Sequence, residues 1–156
     1  AFAFWLIFFG CEMNGKQIVK PEKFNFDEIK FNSVSKKLIF DNHNESIKNS
    51  EIKKIIKCWF NNKIKTDGFD GSLSVVVKDI KTEEIKKNDY FKFLLSMKIE
   101  FIEKNDDLNR SKTLTIKVSE YGDILGNFSI NDQENLEINI IHQSLNNVSK
   151  KIKDLI

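Results

Sequence analysis

Phe91, Phe93, Leu95, Met97, Ile99 and Phe101 place six apolar side chains at consecutive odd positions. A period of two describes a β-strand with one wholly apolar face. A face that long cannot be left in water, so the chain must supply a second layer to cover it. The alternate residues are Lys92, Leu94, Ser96, Lys98, Glu100 and Ile102. They are mostly polar, which suits a strand whose other face meets solvent. Leu73, Val75 and Val77 alternate in the same way after a glycine-bearing turn at 67–71. Leu114, Ile116 and Val118 do so after a polar stretch at 103–110, which reads as a hairpin loop.

The covering layer is written in a different period. Ile52, Ile55, Ile56, Trp59, Phe60 and Ile64 fall on one stripe of an α-helix, with Lys53, Lys54, Lys57 and Asn61 opposite. Ser50 is expected to cap this helix and Gly68 to stop it. Ile138, Ile141, Leu145, Val148, Ile152 and Leu155 form a second stripe, and Asn131 with Glu134 has capping-box spacing. One or two strands are expected between Phe24 and Asp41, the later near 36–41. The order β-α-β-β-β-α predicts an α+β two-layer sandwich: a mainly antiparallel sheet with two helices on one face. A chain of 156 residues with one proline and six glycines has room for one core and no linker to a second, so 24–156 reads as a single domain.

Upstream of that domain the composition changes abruptly. Residues 1–9 are all apolar, Gly10 and Cys11 follow, and the chain then turns polar at Glu12. Nine or ten helical residues reach about 15 Å, half a bilayer core, which is the length of a signal-peptide apolar region. This segment resembles the leader of bacterial lipoproteins, which place a small residue before an invariant cysteine. It departs from them in carrying Phe8 where leucine is usual and Phe9 where a small residue is preferred. The resemblance implies lipid attachment at Cys11, a leader over 1–10 and a tether over 11–23. Two other readings fit the same residues: a truncated, uncleaved membrane anchor, or an apolar segment holding an ordinary buried cysteine.

The domain itself resembles uncharacterised alphaproteobacterial lipoproteins. Trp59 in the first helix, Lys63-Ile64, Gly68, Gly71, the strand over 73–80 and the closing helix over 131–156 carry the likeness. The element order is also similar to that of the lipopolysaccharide-assembly lipoprotein and of auxiliary lipoproteins of ABC-type transporters. These resemblances imply a protein of the bacterial envelope, facing the periplasm, that serves an assembly or transport complex as an accessory subunit. They carry over no catalytic residue. A lipid or glycolipid carrier is the alternative, since ten phenylalanines lie beyond the leader and could line a pocket.

No chemistry stands out locally. The net charge is +2, from 25 basic against 23 acidic residues, so nothing favours nucleic acid as a partner. Glycine-rich phosphate loops, G-x-S-x-G and H-E-x-x-H are absent from the sequence. The run Asp41-Asn42-His43-Asn44-Glu45 reads as a polar loop, and 67–71 reads as a turn, because Lys78 stands where a calcium loop ends in glutamate. Cys58 and His142 read as packing residues at helix margins. A non-enzymatic protein without metal or cofactor is expected. Its partner surface is expected on the open sheet face, where Val76, Leu94, Ile102 and Tyr121 would interrupt the polar pattern and could cluster.

Overall fold

The computed structural model describes residues 28–41, 47–105 and 109–155. In chain order the elements are β1 (Ile29–Phe31), β2 (Ser35–Asp41), α1 (Ile47–Lys63), β3 (Ile64–Thr66), β4 (Ser72–Lys87), β5 (Tyr90–Asn105), β6 (Arg110–Leu125) and α2 (Ile130–Leu155). The main sheet is ordered β2-β4-β5-β6, and both helices cover one face of it. This is the α+β sandwich expected from the two periodicities. The alternation of β5 becomes alternate burial along its length, with Phe91, Phe93, Leu95 and Ile99 fully covered.

The sheet is mixed. β4, β5 and β6 are antiparallel, but β2 runs parallel to β4. The chain between them must therefore cross from one end of the sheet to the other, and α1 makes that crossing. A separate parallel pair, β1 with β3, was not expected. Three-residue strands leave too short a pattern to recognise.

Both helix starts need correction. α1 begins at Ile47, so Ser50 lies inside its first turns and is not the cap. α2 is capped two residues earlier than the Asn131–Glu134 spacing suggested. The Ser129 N–H donates to Asp132 Oδ2 at 2.8 Å, and the Asp132 N–H donates to Ser129 Oγ at 3.1 Å. This reciprocal pair satisfies donors that a helix N-terminus leaves open.

The end of α1 was misread as well. Gly68 does not stop it, because the chain is already extended at Ile64. A lysine from the neighbouring strand closes the helix instead. Lys36 Nζ donates to the carbonyls of Phe60 at 3.0 Å and Ile64 at 2.6 Å, and lies 4.6 Å from the centre of the Phe60 ring. A cation there meets the negative end of the helix and carbonyls that the helix cannot itself satisfy. Burial, with Lys65 nearby, lowers the Lys36 pKa from its ordinary value.

The two helices run in the same direction. Near their starts Lys48 bridges Glu137 at 2.8 Å and also pairs with Glu84 on β4. Further along, Trp59 Nε1 donates to Ser149 Oγ at 3.2 Å. Beneath them Phe31 stacks on Phe101 with centroids 5.6 Å apart, and Trp59 meets Phe101 edge-on at 6.5 Å. Gly122 faces α2 from β6: a Cβ there would lie 2.8 Å from Leu136 Cδ1 and 2.9 Å from Ile140 Cδ1. The ends of these two side chains thus fill the space that a Cβ on β6 would take.

Candidate functional site

The uncovered face of the sheet is the surface on which the sequence placed a partner, and the strand register orders it into rungs. Outward side chains are even-numbered on β4 up to Lys78. There the register slips: Asp79 adopts φ 54, and β4 gains a residue against β5. This is a β-bulge, and it restores Ile80 to the core while turning Lys81, Glu83 and Ile85 outward.

One rung runs Lys37, Ser74, Ile102, Thr113, and the next runs Ile39, Val76, Glu100, Thr115. Val76 and Ile102 are therefore diagonal neighbours, with Ile39 beside Val76. Val76 is only 8% exposed although it points away from the helices. Beyond them Asp41, Lys78, Lys98 and Lys117 form a rung, followed by Lys81, Ser96 and Ser119. Then Glu83, Leu94 and Tyr121 stand side by side, with Ile85, Lys92 and Asp123 next.

The four residues expected at a partner surface all lie on this face, but in two groups. Val76 belongs with Ile102, and Leu94 belongs with Tyr121. Leu94 stands three rungs along from Val76, roughly 20 Å at two residues per rung. The second group is the more exposed, with Tyr121 at 62% and Ile85 and Leu125 also uncovered. Lys92 Nζ sits 4.8 Å from the Tyr121 ring centre, a favourable cation–π placement. Tyr90 donates from its hydroxyl to Asp123 Oδ2 at 3.4 Å. Desolvation, followed by the Asp123 carboxylate, raises the Tyr90 phenol above its ordinary pKa.

The lysine belt between the groups is only partly neutralised. Lys78 lies 3.3 Å from Glu100, and Lys98 lies 4.0 Å from the same carboxylate. Eight lysines and four carboxylates point outward from the four strands, so this face is basic on a chain whose total charge is nearly balanced. Ile39 and Ile85 were missed by sequence reasoning. The first depends on β2 lying beside β4, and the second depends on the bulge.

Elsewhere the sequence-predicted positions fall as follows. Cys11 and the run over 42–45 lie outside the described residues. Trp59 is core, as its stripe required. Cys58 is half-buried on α1. His142 lies two turns before Ser149 on α2, on the flank that meets α1, and burial pushes its imidazole down to about 4. Among the described residues there is no group of three His, Cys, Asp or Glu side chains able to hold a metal ion. The crevice between the helix starts, lined by Lys48, Ile52, Phe93 and Ile138 among others, holds about 10 Å³. A wider polar groove of about 560 Å³ opens at the far end, beside Asn32, Asp70, Lys104, Arg110 and Lys112.

No protein-family model matches the chain. No curated protein matches it either. Among solved structures it is similar to a minor lipoprotein from Acinetobacter baumannii, at 12% identity and TM-score 0.39, over 80% of this chain and 92% of that one. A protein from Xanthomonas campestris aligns at 9% identity and TM-score 0.45, over 88% of each chain. The rare lipoprotein B from Shewanella oneidensis aligns at 9% identity and TM-score 0.41, over 78% of this chain and 98% of that one. Likenesses this distant do not bear on what the chain does.

Proposed function

We propose that this chain is a lipoprotein of the bacterial envelope, anchored through lipid on Cys11 and facing the periplasm. Its domain serves as a non-catalytic accessory subunit of an assembly or transport complex. The observation that carries the reading is the N-terminal pattern: nine apolar residues, then Gly10-Cys11, then an immediate turn to polar sequence. Acyl chains suit such a site because each buried methylene contributes about 0.8 kcal/mol, and more than one chain makes the attachment stable. Among the described residues no helix is long and apolar enough to cross a membrane.

The accessory role is supported by the open face. A basic sheet surface with separate apolar groups at Val76–Ile102 and Leu94–Tyr121 suits a protein partner that offers acidic and apolar side chains. A carrier of lipid would need an apolar cavity of a few hundred Å³; among the described residues the crevice between the helices holds about 10 Å³, and the groove of about 560 Å³ is lined by polar side chains. The covered face of the sheet is instead filled by Phe31, Phe91, Phe93 and Phe101.

Mass spectrometry of the protein from native membranes tests the anchor. The expected product begins at Cys11 and carries acyl mass on it, and Cys11→Ser should abolish both processing and lipid attachment. Native protein with an unmodified Cys11, still preceded by residues 1–10, would refute the reading.

A further inference from the structure

The end of the sandwich opposite the β4–β5 turn presents a rigid apolar tip. The loop over 67–71 is clamped to the last residue of β1 and to the chain between β1 and β2 by three backbone hydrogen bonds. Asp67 N–H donates to Phe31 O at 3.2 Å, Gly68 N–H to Ser33 O at 3.0 Å, and Val34 N–H to Gly71 O at 3.1 Å. Both glycines allow close approach. A Cβ on Gly68 would lie 2.6 Å from the Asn32 and Ser33 backbone, and one on Gly71, whose φ is +87, would lie 2.6 Å from the Lys104 carbonyl. At the tip of this loop Phe69 is 99% exposed, and Val34, on the segment bonded to it, is 59% exposed. A scattered apolar side chain on a surface needs no explanation. Here two large ones stand on adjoining, mutually clamped segments, and the loop buries neither.

The position of this tip supplies the explanation. β1 begins at Ile29 and is hydrogen-bonded along β3, directly before the loop. The sixteen residues between Cys11 and Glu28, which extend to at most roughly 60 Å, therefore join the domain at this same end. The β4–β5 turn is a sixteen-residue strand away, about 50 Å. Lys104, Arg110 and Lys112 flank the groove beside the loop, together with Asp70 and Glu103. Cations around an apolar tip suit a bilayer surface, where the apolar groups enter the acyl boundary and the cations meet phosphate.

We propose that Phe69 and Val34 form a bilayer-docking tip that seats the anchored domain end-on, with its strands projecting from the membrane and its open sheet face free for a partner. This rests on the lipid-anchor reading above. Docking adds an orientation that an anchor alone does not impose.

Tryptophan placed at Phe69 or at Asp89 tests the proposal; Trp5 leaves with residues 1–10 when the chain is processed and acylated, and the non-acylated chains carry Trp5→Phe. Trp59 remains as a buried background common to both chains. The acylated proteins are reconstituted in vesicles of phosphatidylethanolamine and phosphatidylglycerol with brominated acyl chains. Phe69→Trp should show emission shifted to shorter wavelength and quenched by bromine, and Asp89→Trp should show neither. In the non-acylated chain, Phe69→Asp should weaken vesicle binding about tenfold or more, the loss expected for one buried aromatic, with no change in melting temperature. Solvent-like, unquenched emission from position 69 in acylated protein would overturn the docking and leave the anchor standing. A shift that appears without lipid and grows with protein concentration would assign the tip to a second copy and overturn it also. Should mass spectrometry find no acylation, the anchor reading falls by itself. The same two chains then meet excess vesicles, where an unshifted emission removes the docking as well.

Discussion

Removing the Trp59 side chain should cost the domain about 4 kcal/mol. Trp59 is 4% exposed, and its ring lies between α2 and the sheet, edge-on to Phe101 and bonded through Nε1 to Ser149. A buried tryptophan removes about 200 Å² from water, which at about 25 cal/mol/Å² is worth about 5 kcal/mol. Alanine keeps about 1 kcal/mol of this through its methyl group. Trp59→Ala also takes away the donor to the buried Ser149 hydroxyl, a bond with a net value of about 1 kcal/mol. Partial collapse of the surroundings into the vacated space brings the sum into the range of about 3–5 kcal/mol typical of such truncations. Urea unfolding followed by far-ultraviolet circular dichroism reads this directly, and in thermal melts, at roughly 3 °C per kcal/mol for a domain of this size, the melting temperature should fall by about 10 °C or more. Combining the change with Ser149→Ala should show a coupling of about 1 kcal/mol. A loss below about 1 kcal/mol for Trp59→Ala, or strict additivity with Ser149→Ala, would refute the packing described between the two helices.

Three other perturbations follow from separate parts of the fold. His142 has its imidazole held down to about 4 by burial, so protons bind the unfolded chain first as pH falls. Stability present above about pH 6.5 should then decline toward pH 4 by up to about 3 kcal/mol, and His142→Leu should flatten the slope in urea melts across that window. Gly71→Ala meets both a left-handed backbone and the Lys104 carbonyl, and should cost about 2–3 kcal/mol; an unchanged unfolding midpoint would show that the loop is not clamped. Leu94→Lys with Val76→Lys should leave the circular dichroism spectrum intact and weaken recovery of the stoichiometric partner from native membranes. Collapse of the fold in that double mutant would mean that both sheet faces are buried.

Period alone made most of the architecture legible. Six alternating residues in β5 and two 3.6-period stripes defined one apolar face per element, and a chain of this length has one way to satisfy such faces: helices laid over a sheet. Trp59 as core followed from the same reasoning. So did the placement of Val76, Leu94, Ile102 and Tyr121 on the other face, because alternation assigns a side before any partner strand is known. The apolar run that ends at Gly10-Cys11 is likewise a property of sequence.

Only the assembled structure decided what depends on residues far apart in the chain. The parallel pairing of β2 with β4 put Ile39 next to Val76, and no local pattern records which edge a crossover strand will join. The bulge at Asp79 reversed the outward parity of β4, so Ile85 emerged beside Lys92 where uninterrupted alternation would have turned it inward. Lys36 closes α1 from 24 residues upstream of Phe60, a role sequence gave to Gly68 because a glycine nearby is the usual local signal for a helix end. Gly68 instead serves the loop that presents Phe69. Local periodicity encodes which side of an element avoids water, whereas register, caps supplied from a distance and the neighbours of an exposed side chain arise from packing between elements.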